Sequence, residues 1–463
     1  VPGCVKTLRF STLGLPGMGS TEVALVIAKS YPAALRAEKA LQITWNSPKE
    51  NLLDERELWA EAERLVDSKE GAQAWYQVGD VSQSIVDAPI VISADYRTSM
   101  IEHAALEPRS ALVQPIDGTY HIYAGHQAGA YLIEFIASEL QIPEENVAYH
   151  PHQIGGSFGD KIYADQIVLA AKASKELNLP VKVIMTREDQ FNLGHPKSIS
   201  LHRLTARVSA NNGVLPSERI HEVSHDLVAA PILETLWLSD GQVFSDRDDP
   251  EPSGNSTRAS AAAVSGADHW YDVGPHQVRA IMNDLAQQTF RPGWLRSVAP
   301  GWTNWASECF MDEAARMSGV DPLVFRQGLL TGQGKNAGSA PNAVGGAKRM
   351  SNVLARAAEK AGWGKSLPEG QGMGIACTFG QERAMPTWTA CVAQVTVDAD
   401  SGAVSLDKLT IVIDAGSIVH PDGALAQTEG AALWGASLAL HEGTEFVDGQ
   451  VKDTNLNGYR PMR

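Results

Sequence analysis

Between Asp87 and Met185 short apolar strands alternate with amphipathic helices around a turn built of glycine, Gly155-Gly156-Ser157-Phe158-Gly159. This alternation limits the possible folds more than any other feature of the chain. Ile90 to Tyr96 reads as a strand. Ala128 to Leu140 reads as a helix with Leu132, Ile133, Phe135, Ile136 and Leu140 on one apolar face. Val147 to Tyr149 is a short strand, Ala164 to Leu177 a second helix and Val181 to Met185 a buried strand. Strand–turn–helix units of this kind build mixed sheets under helical cover, so the expected class is α+β, a mixed α/β arrangement. With 463 residues, 44% of them hydrophobic and 20% charged, the chain can bury several cores. At about 100–200 residues per domain this suggests roughly two to four domains.

The flanks read differently. Residues 23–45 read strand, helix, strand, the last being Gln42-Ile43-Thr44-Trp45. Asn46 to Leu53 is polar and contains proline, which marks a boundary, and Glu55 to Val66 follows as an acidic, exposed helix. Gly241 to Gly266 is small and polar, as in a surface insertion. Gly332 to Gly346 separates two helical stretches. Cys391 to Val397 and Leu406 to Ile413 alternate as strands around Asp398-Ala399-Asp400-Ser401-Gly402. Val1-Pro2-Gly3 and Tyr459 to Arg463 both read as cuts in a longer protein.

Charge and cysteine usage exclude whole classes. The net charge of −16 repels phosphate backbones, so no nucleic-acid partner is expected. Cys4, Cys309, Cys377 and Cys391 form no C-x-x-C pair, so iron–sulfur clusters and structural zinc are not expected in this chain. Cys309, inside a helix, reads as a structural thiol. No uncharged apolar run approaches the ~20 residues that span a bilayer.

Three segments can carry chemistry. The glycine turn leaves a strand and opens a helix. It is either a tight connection or a place where backbone approaches a ligand and helix-start amides meet anionic oxygens. In the second case a side chain at Gly159 would intrude on the ligand. Arg291 to Ser307 places Arg296 among Trp294, Trp302 and Trp305 ahead of a helix whose Trp305, Phe310 and Ala314 are expected to face the core. An arginine in such a loop needs a partner, and an anion is a natural one. Asp414-Ala415-Gly416 ends a strand before the small-residue helix carrying Gln427. His103 and Glu107, four apart, are expected on one helical face, with metal binding the less favoured role. No dinucleotide fingerprint is present, which argues against an NAD-dependent dehydrogenase.

In one consistent order along nearly the whole chain, these segments resemble the molybdopterin-binding large subunit of the xanthine oxidase and aldehyde oxidoreductase family. Gly155 to Lys161 resembles its G-G-x-F-G loop, Gln127 in Ala124-Gly125-His126-Gln127 its glutamine beside the molybdenum, and Arg296-Ser297 its pterin-gripping loop. Asp414 to Gly416 through Gln427-Thr428-Glu429-Gly430 resembles its late cofactor segment. Asp268 to Tyr271, Phe290 to Gly301 and Gly380 to Trp388 carry a nearer likeness to the membrane-bound aldehyde dehydrogenases of acetic acid bacteria. The isoquinoline 1-oxidoreductase beta subunits come next.

The resemblance implies residues 1–48 as the second half of an α/β hammerhead domain and 49–86 as a linker. It implies 87–335 and 336–463 as two molybdopterin-binding domains, the second truncated. Molybdopterin, in its plain or cytosine dinucleotide form, would hold the molybdenum with no metal ligand from the protein. Gln127 and the amides of Phe158 and Gly159 would bond a molybdenum oxygen. Gly156 and Ser157 would line the loop, and Arg296, Ser297 and Gln427 would hold the pterin. The implied reaction oxidises an aldehyde to a carboxylic acid with water as oxygen source. Electrons would leave to a 2Fe–2S small subunit and on to a membrane cytochrome c subunit at the periplasmic face of the bacterial inner membrane, with the cytoplasm as the alternative location. Hydroxylation of an N-heteroaromatic ring and a catalytically inert fragment are the alternative functions. Two departures stand out. Ser157 and Asp160 replace loop glycines, Asp160 bringing a negative charge near an anionic cofactor. The family's G-x-G-E segment with the base glutamate is absent, and is expected beyond Arg463.

Overall fold

The computed structural model describes residues 1–11, 22–44, 52–81, 90–209, 220–230, 261–332, 346–380 and 387–462. It opens with an antiparallel hairpin of β1 (Cys4–Ser11) and β2 (Glu22–Ala28), with Leu8 opposite Leu25, followed by α1 (Tyr31–Lys39). The partner of β2 is thus β1, which the sequence reading left unassigned. Gln42 to Thr44, expected as the second strand, form none, and Trp45 lies outside the described residues.

The segment expected to be a linker is structural. α2 (Glu55–Ser68) starts with a capping box in which the Glu57 carboxylate accepts from the Asp54 amide at 2.8 Å. Its buried Leu58, Ala62, Leu65 and Val66 follow the helical period, so the helix is amphipathic rather than simply exposed. β3 (Gln73–Val78) then becomes the edge strand of a five-stranded sheet.

That sheet also contains β4 (Ile90–Thr98), and a second, four-stranded sheet begins with β5 (Ser110–Ile116) and β6 (Thr119–Ala124). α3 (Gly129–Leu140), β7 (Val147–Pro151), α4 (Asp165–Leu177) and β8 (Val181–Ile184) complete the second unit in the order β7-β6-β5-β8. Both helices pack on this sheet: Leu132, Ile136 and Ile167 join Val113 and Ile122 in one core that also takes Leu8 and Val23 of the hairpin. The five-stranded sheet is finished by β9 (Ser200–Val208), β10 (Ile220–Ala229) and β11 (His276–Met282), in the order β3-β11-β10-β9-β4. The predicted insertion at Gly241 to Gly266 lies largely outside the described residues.

α5 (Pro300–Met317) and α6 (Pro322–Leu329) follow. The inward stripe of α5 is Trp302, Ala306, Phe310 and Ala314, four residues apart and all buried. Trp305, expected inward, is 41% exposed and meets Tyr96 edge-on. α7 (Gly346–Ala361) then lies against an antiparallel sheet of β12 (Gln371–Gly380), β13 (Thr387–Val397) and β14 (Val404–Asp414). The boundary placed after residue 335 falls beyond the described residues, but packing is continuous across it. Phe310 and Phe325 share a core with Leu354, Ile375 and Trp388. α8 (Pro421–Leu440) closes the described helices; among them none is long and apolar enough to cross a membrane.

Candidate cofactor site

The strands β6 and β7 run parallel and side by side, so their carboxyl ends deliver two turns to one place. β6 leads into Gly125-His126-Gln127, and β7 into Gly155 to Gly159. The first turn is fixed by His126, whose Nε2 donates to the Ile162 carbonyl at 2.9 Å while Nδ1 accepts from the Ala128 amide at 3.1 Å. Burial pushes its pKa down to about 4, so the imidazole is neutral, as this pair of bonds requires. The Gln127 amide donates to the Lys161 carbonyl at 2.9 Å, and Gln127 Oε1 accepts from Ser157 Oγ and from the Gly159 amide at 3.1 Å. The Gly159 amide, expected to face a ligand, is therefore turned to Gln127.

The glycine turn does not open a helix directly. A short 3₁₀ turn, Asp160–Ile162, intervenes before α4, so no helix-start amides face the loop. Gly156 and Gly159 lie at φ +88 and +114, and Phe158 between them at +60. A Cβ on Gly159 would stand 1.6 Å from the Trp294 carbonyl oxygen. Glycine is needed here because another loop's backbone crosses it, a constraint absent from the sequence expectation and independent of any ligand.

That crossing loop holds Arg296. The Trp294 carbonyl accepts from His103 Nε2 at 2.7 Å, the Trp294 amide donates to Tyr163 Oη at 3.1 Å, and the Arg296 amide donates to the Phe158 carbonyl at 2.7 Å. Ser297 and Val298 follow at φ +72 and +48. A β-branched residue in the left-handed region is a true outlier, and such positions cost about 1–3 kcal/mol each unless their surroundings impose them. Ala104, beside His103, is a further case at φ +46.

His103 and Glu107, expected on a helix, lie in an irregular segment that clamps both loops. Glu107 Oε2 accepts from the Gly155 amide at 2.6 Å and from Lys161 Nζ at 2.5 Å. Burial works against the Glu107 charge, but Lys161 and the Gly155 amide hold its pKa below the usual value. Burial lowers the His103 pKa, which keeps it neutral beneath Trp294. Asp160 points into the interior, where Gln190 Nε2 donates to it at 2.6 Å and Arg109 Nε stands 3.6 Å away. Its charge is thus neutralised away from the open side. None of these supporting roles was read from the sequence. The signal within reach was a buried charge, Asp160, in an otherwise small-residue turn.

α8 supplies the remaining wall. Gln427 Oε1 accepts from an Arg296 guanidinium nitrogen at 3.4 Å, and Trp434, seven residues on, meets the Phe158 ring at 4.7 Å between centroids. The Arg296 guanidinium lies over the same ring at 5.4 Å. The fold thus gathers Gln127, Ser157, Phe158, Gly159, Arg296 and Gln427, with Gly156 in the turn; Ser297 makes no hydrogen bond among the described residues. Gln127, Arg296 and Gln427 are exposed. Among the described residues Arg296 has no carboxylate partner, and neither Gln127 Nε2 nor the Phe158 amide has a hydrogen-bond partner. An exposed cation beside two free donors and strained backbone fits an anionic, oxygen-rich cofactor. Cys309 is half-buried and its pKa is pushed up to about 11, chiefly by burial, as a structural thiol would be.

Comparisons with known proteins identify two domains of one kind in the chain. Residues 66–225 and 342–463 each match a molybdopterin cofactor-binding domain. Gln127 and the glycine turn fall in the first match, Gln427 and Trp434 in the second, and Arg296 between them. The chain is 43% identical, over 95% of its length and 55% of the relative's, to a membrane-bound aldehyde dehydrogenase (pyrroloquinoline-quinone) of Gluconacetobacter polyoxogenes. It is 25% identical to the isoquinoline 1-oxidoreductase subunit beta of Brevundimonas diminuta, over 95% of this chain and 53% of that one. The chain spans about half the length of these curated relatives. The solved aldehyde oxidoreductase of Desulfovibrio gigas shares the fold, with a TM-score of 0.74 at 14% identity over 99% of this chain and 66% of that one. The chain belongs to the molybdopterin cofactor-binding family.

Proposed function

We propose that the chain is part of the molybdenum-cofactor subunit of an oxidoreductase that converts aldehydes to carboxylic acids, RCHO + H₂O → RCOOH + 2H⁺ + 2e⁻. The observation that carries this reading is the meeting of Gln127, the glycine turn, Arg296 and Gln427 at one open edge of the fold. When bound, molybdopterin with molybdenum supplies the redox step and an activated water-derived oxygen. The chain's own part is to hold and polarise that group. Gln127 is oriented for this because Ser157 and Gly159 occupy its Oε1, leaving Nε2 to donate. The Phe158 amide is the second donor. Arg296 offers a planar, two-pronged cation to the cofactor's anionic groups, steadied by Gln427 and the Phe158 ring. The cytosine dinucleotide form of the cofactor, a 2Fe–2S small subunit, a cytochrome c subunit and a periplasmic location belong to the same reading.

The name of the 43% relative carries pyrroloquinoline quinone, itself an anionic group that Arg296 can grip. Two domain matches favour molybdopterin. Production with the natural flanking sequence and partner subunit, followed by molybdenum analysis and extraction of oxidised pterin or quinone, separates the two. About one molybdenum per chain is expected; quinone without molybdenum overturns the proposal. The isoquinoline-type relative favours ring hydroxylation as a second reading. Turnover of acetaldehyde against isoquinoline by the same preparation decides between them. No observation favours an inert fragment.

A further inference from the structure

The outer face of β6 and β7 carries a histidine pair that the cofactor reading does not use. Tyr123 of β6 sits opposite His150 of β7, and His121, two residues before Tyr123, shares its face. His121 Nδ1 and His150 Nε2 stand 2.9 Å apart, with their rings stacked at 5.2 Å and 15°. Tyr123 stacks on His150 at 4.5 Å and 11°. Both histidines are half-exposed, and among the described residues no carboxylate pairs with either.

We propose that His121 and His150 form a two-histidine chelate for a divalent transition-metal ion of tetragonal preference, copper(II) first and nickel(II) more weakly. Imidazole nitrogens bind such ions at about 2.0 Å, so two cis ligands stand about 2.9 Å apart. That is the separation here, where the two nitrogens share a hydrogen bond that a bound ion would replace once its proton is lost. Copper(II) heads the affinity order for nitrogen sites of this kind. Among the described residues no group of three or more His, Cys, Asp or Glu side chains is arranged to hold a metal, so water completes the coordination. The pair lies six residues before Gln127 and five before Gly155, on the two strands that carry those turns. A bound ion would tie the strands together just ahead of the cofactor site.

The test uses the chain without molybdenum cofactor, so its outcome is independent of the function proposed above. Copper(II) chloride is titrated in a weakly coordinating morpholine sulfonate buffer, followed by calorimetry and electron paramagnetic resonance. The expected result is one equivalent bound, with superhyperfine lines from two imidazole nitrogens. His121→Ala and His150→Ala should each weaken binding about tenfold or more while leaving the circular dichroism unchanged. Absence of stoichiometric uptake, or an unchanged affinity in the double variant, overturns the proposal.

Discussion

The two walls of the candidate site are built in opposite ways. The wall of glycine turn and tryptophan loop is tied by backbone crossings, neutral histidines and inward ion pairs, and the residues beneath it are buried. The wall on α8 meets the first through one long hydrogen bond and one aromatic contact, and of its described side chains only Ser437 is buried. Leu425 and Leu433 are 59% and 57% exposed. A helix apolar on all sides is normally a covered one. The difference teaches that the first wall is preorganised by this chain, while the second is merely presented by it.

The largest effect expected to break this contrast is acid. Burial, the leading cause in each case, pushes the pKa of His126, His195 and His269 down to about 4 and that of His225 to about 3. Each is neutral in the fold but gains a proton near pH 6.5 when unfolded. Their contribution is therefore complete above about pH 6.5 and is lost as the pH falls toward 4, at about 1.4 kcal/mol per group per pH unit. All four lie outside α8. Urea unfolding between pH 7 and 4.5, with hydrogen exchange mapped along the chain, should show β6–β7 and the five-stranded sheet weakening steeply. A flat stability profile would remove the histidines from this account.

Gly159→Val should be next. The crossing at Trp294 and the positive φ both reject it, so a loss of about 4 kcal/mol or more is expected, against no loss, or a gain of a few tenths of a kcal/mol from valine's higher helix propensity, for Gly430→Val on open α8. Denaturant midpoints measure both. Equal losses would show that the two walls do not differ. Ile136→Ala and Leu433→Ala repeat the contrast on side chains. About 2–5 kcal/mol is expected for buried Ile136 and under about 0.5 kcal/mol for exposed Leu433.

Arg296→Ala sharpens the contrast with the smallest stability change, within about 0.5 kcal/mol, because the side chain is exposed. Its effect should appear in cofactor content instead. Loss of a charged hydrogen bond worth about 1.5–3 kcal/mol lowers affinity roughly 10- to 100-fold, and Arg296→Lys should recover only part of it. Full molybdenum content in the alanine variant would remove Arg296 from the site.

The elements were legible where hydrophobic period and length agreed, as in α3, α4, β13 and β14. They were missed where pairing decided. β1 exists because β2 needs a partner, and Gln42 to Thr44 lost that place to it. Trp305 faces out because it stands five residues before Phe310, about 140° round the helix, whereas Trp302, Ala306, Phe310 and Ala314 recur every four and share one face. Motif order brought Gln127, the glycine turn, Arg296 and Gln427 into view, but it said nothing of what holds them.

The sequence alone determined the class of fold, the ordered motifs and the small or glycine residues that allow two backbones to touch, because these are properties of local period and side-chain size. Only the tertiary structure decided that Asp160 faces inward, that His103 and Glu107 act as clamps and that Gly159 yields to Trp294. Those outcomes depend on residues some 30 to 190 positions apart meeting at hydrogen-bond distance, and no local pattern encodes where a distant chain will cross.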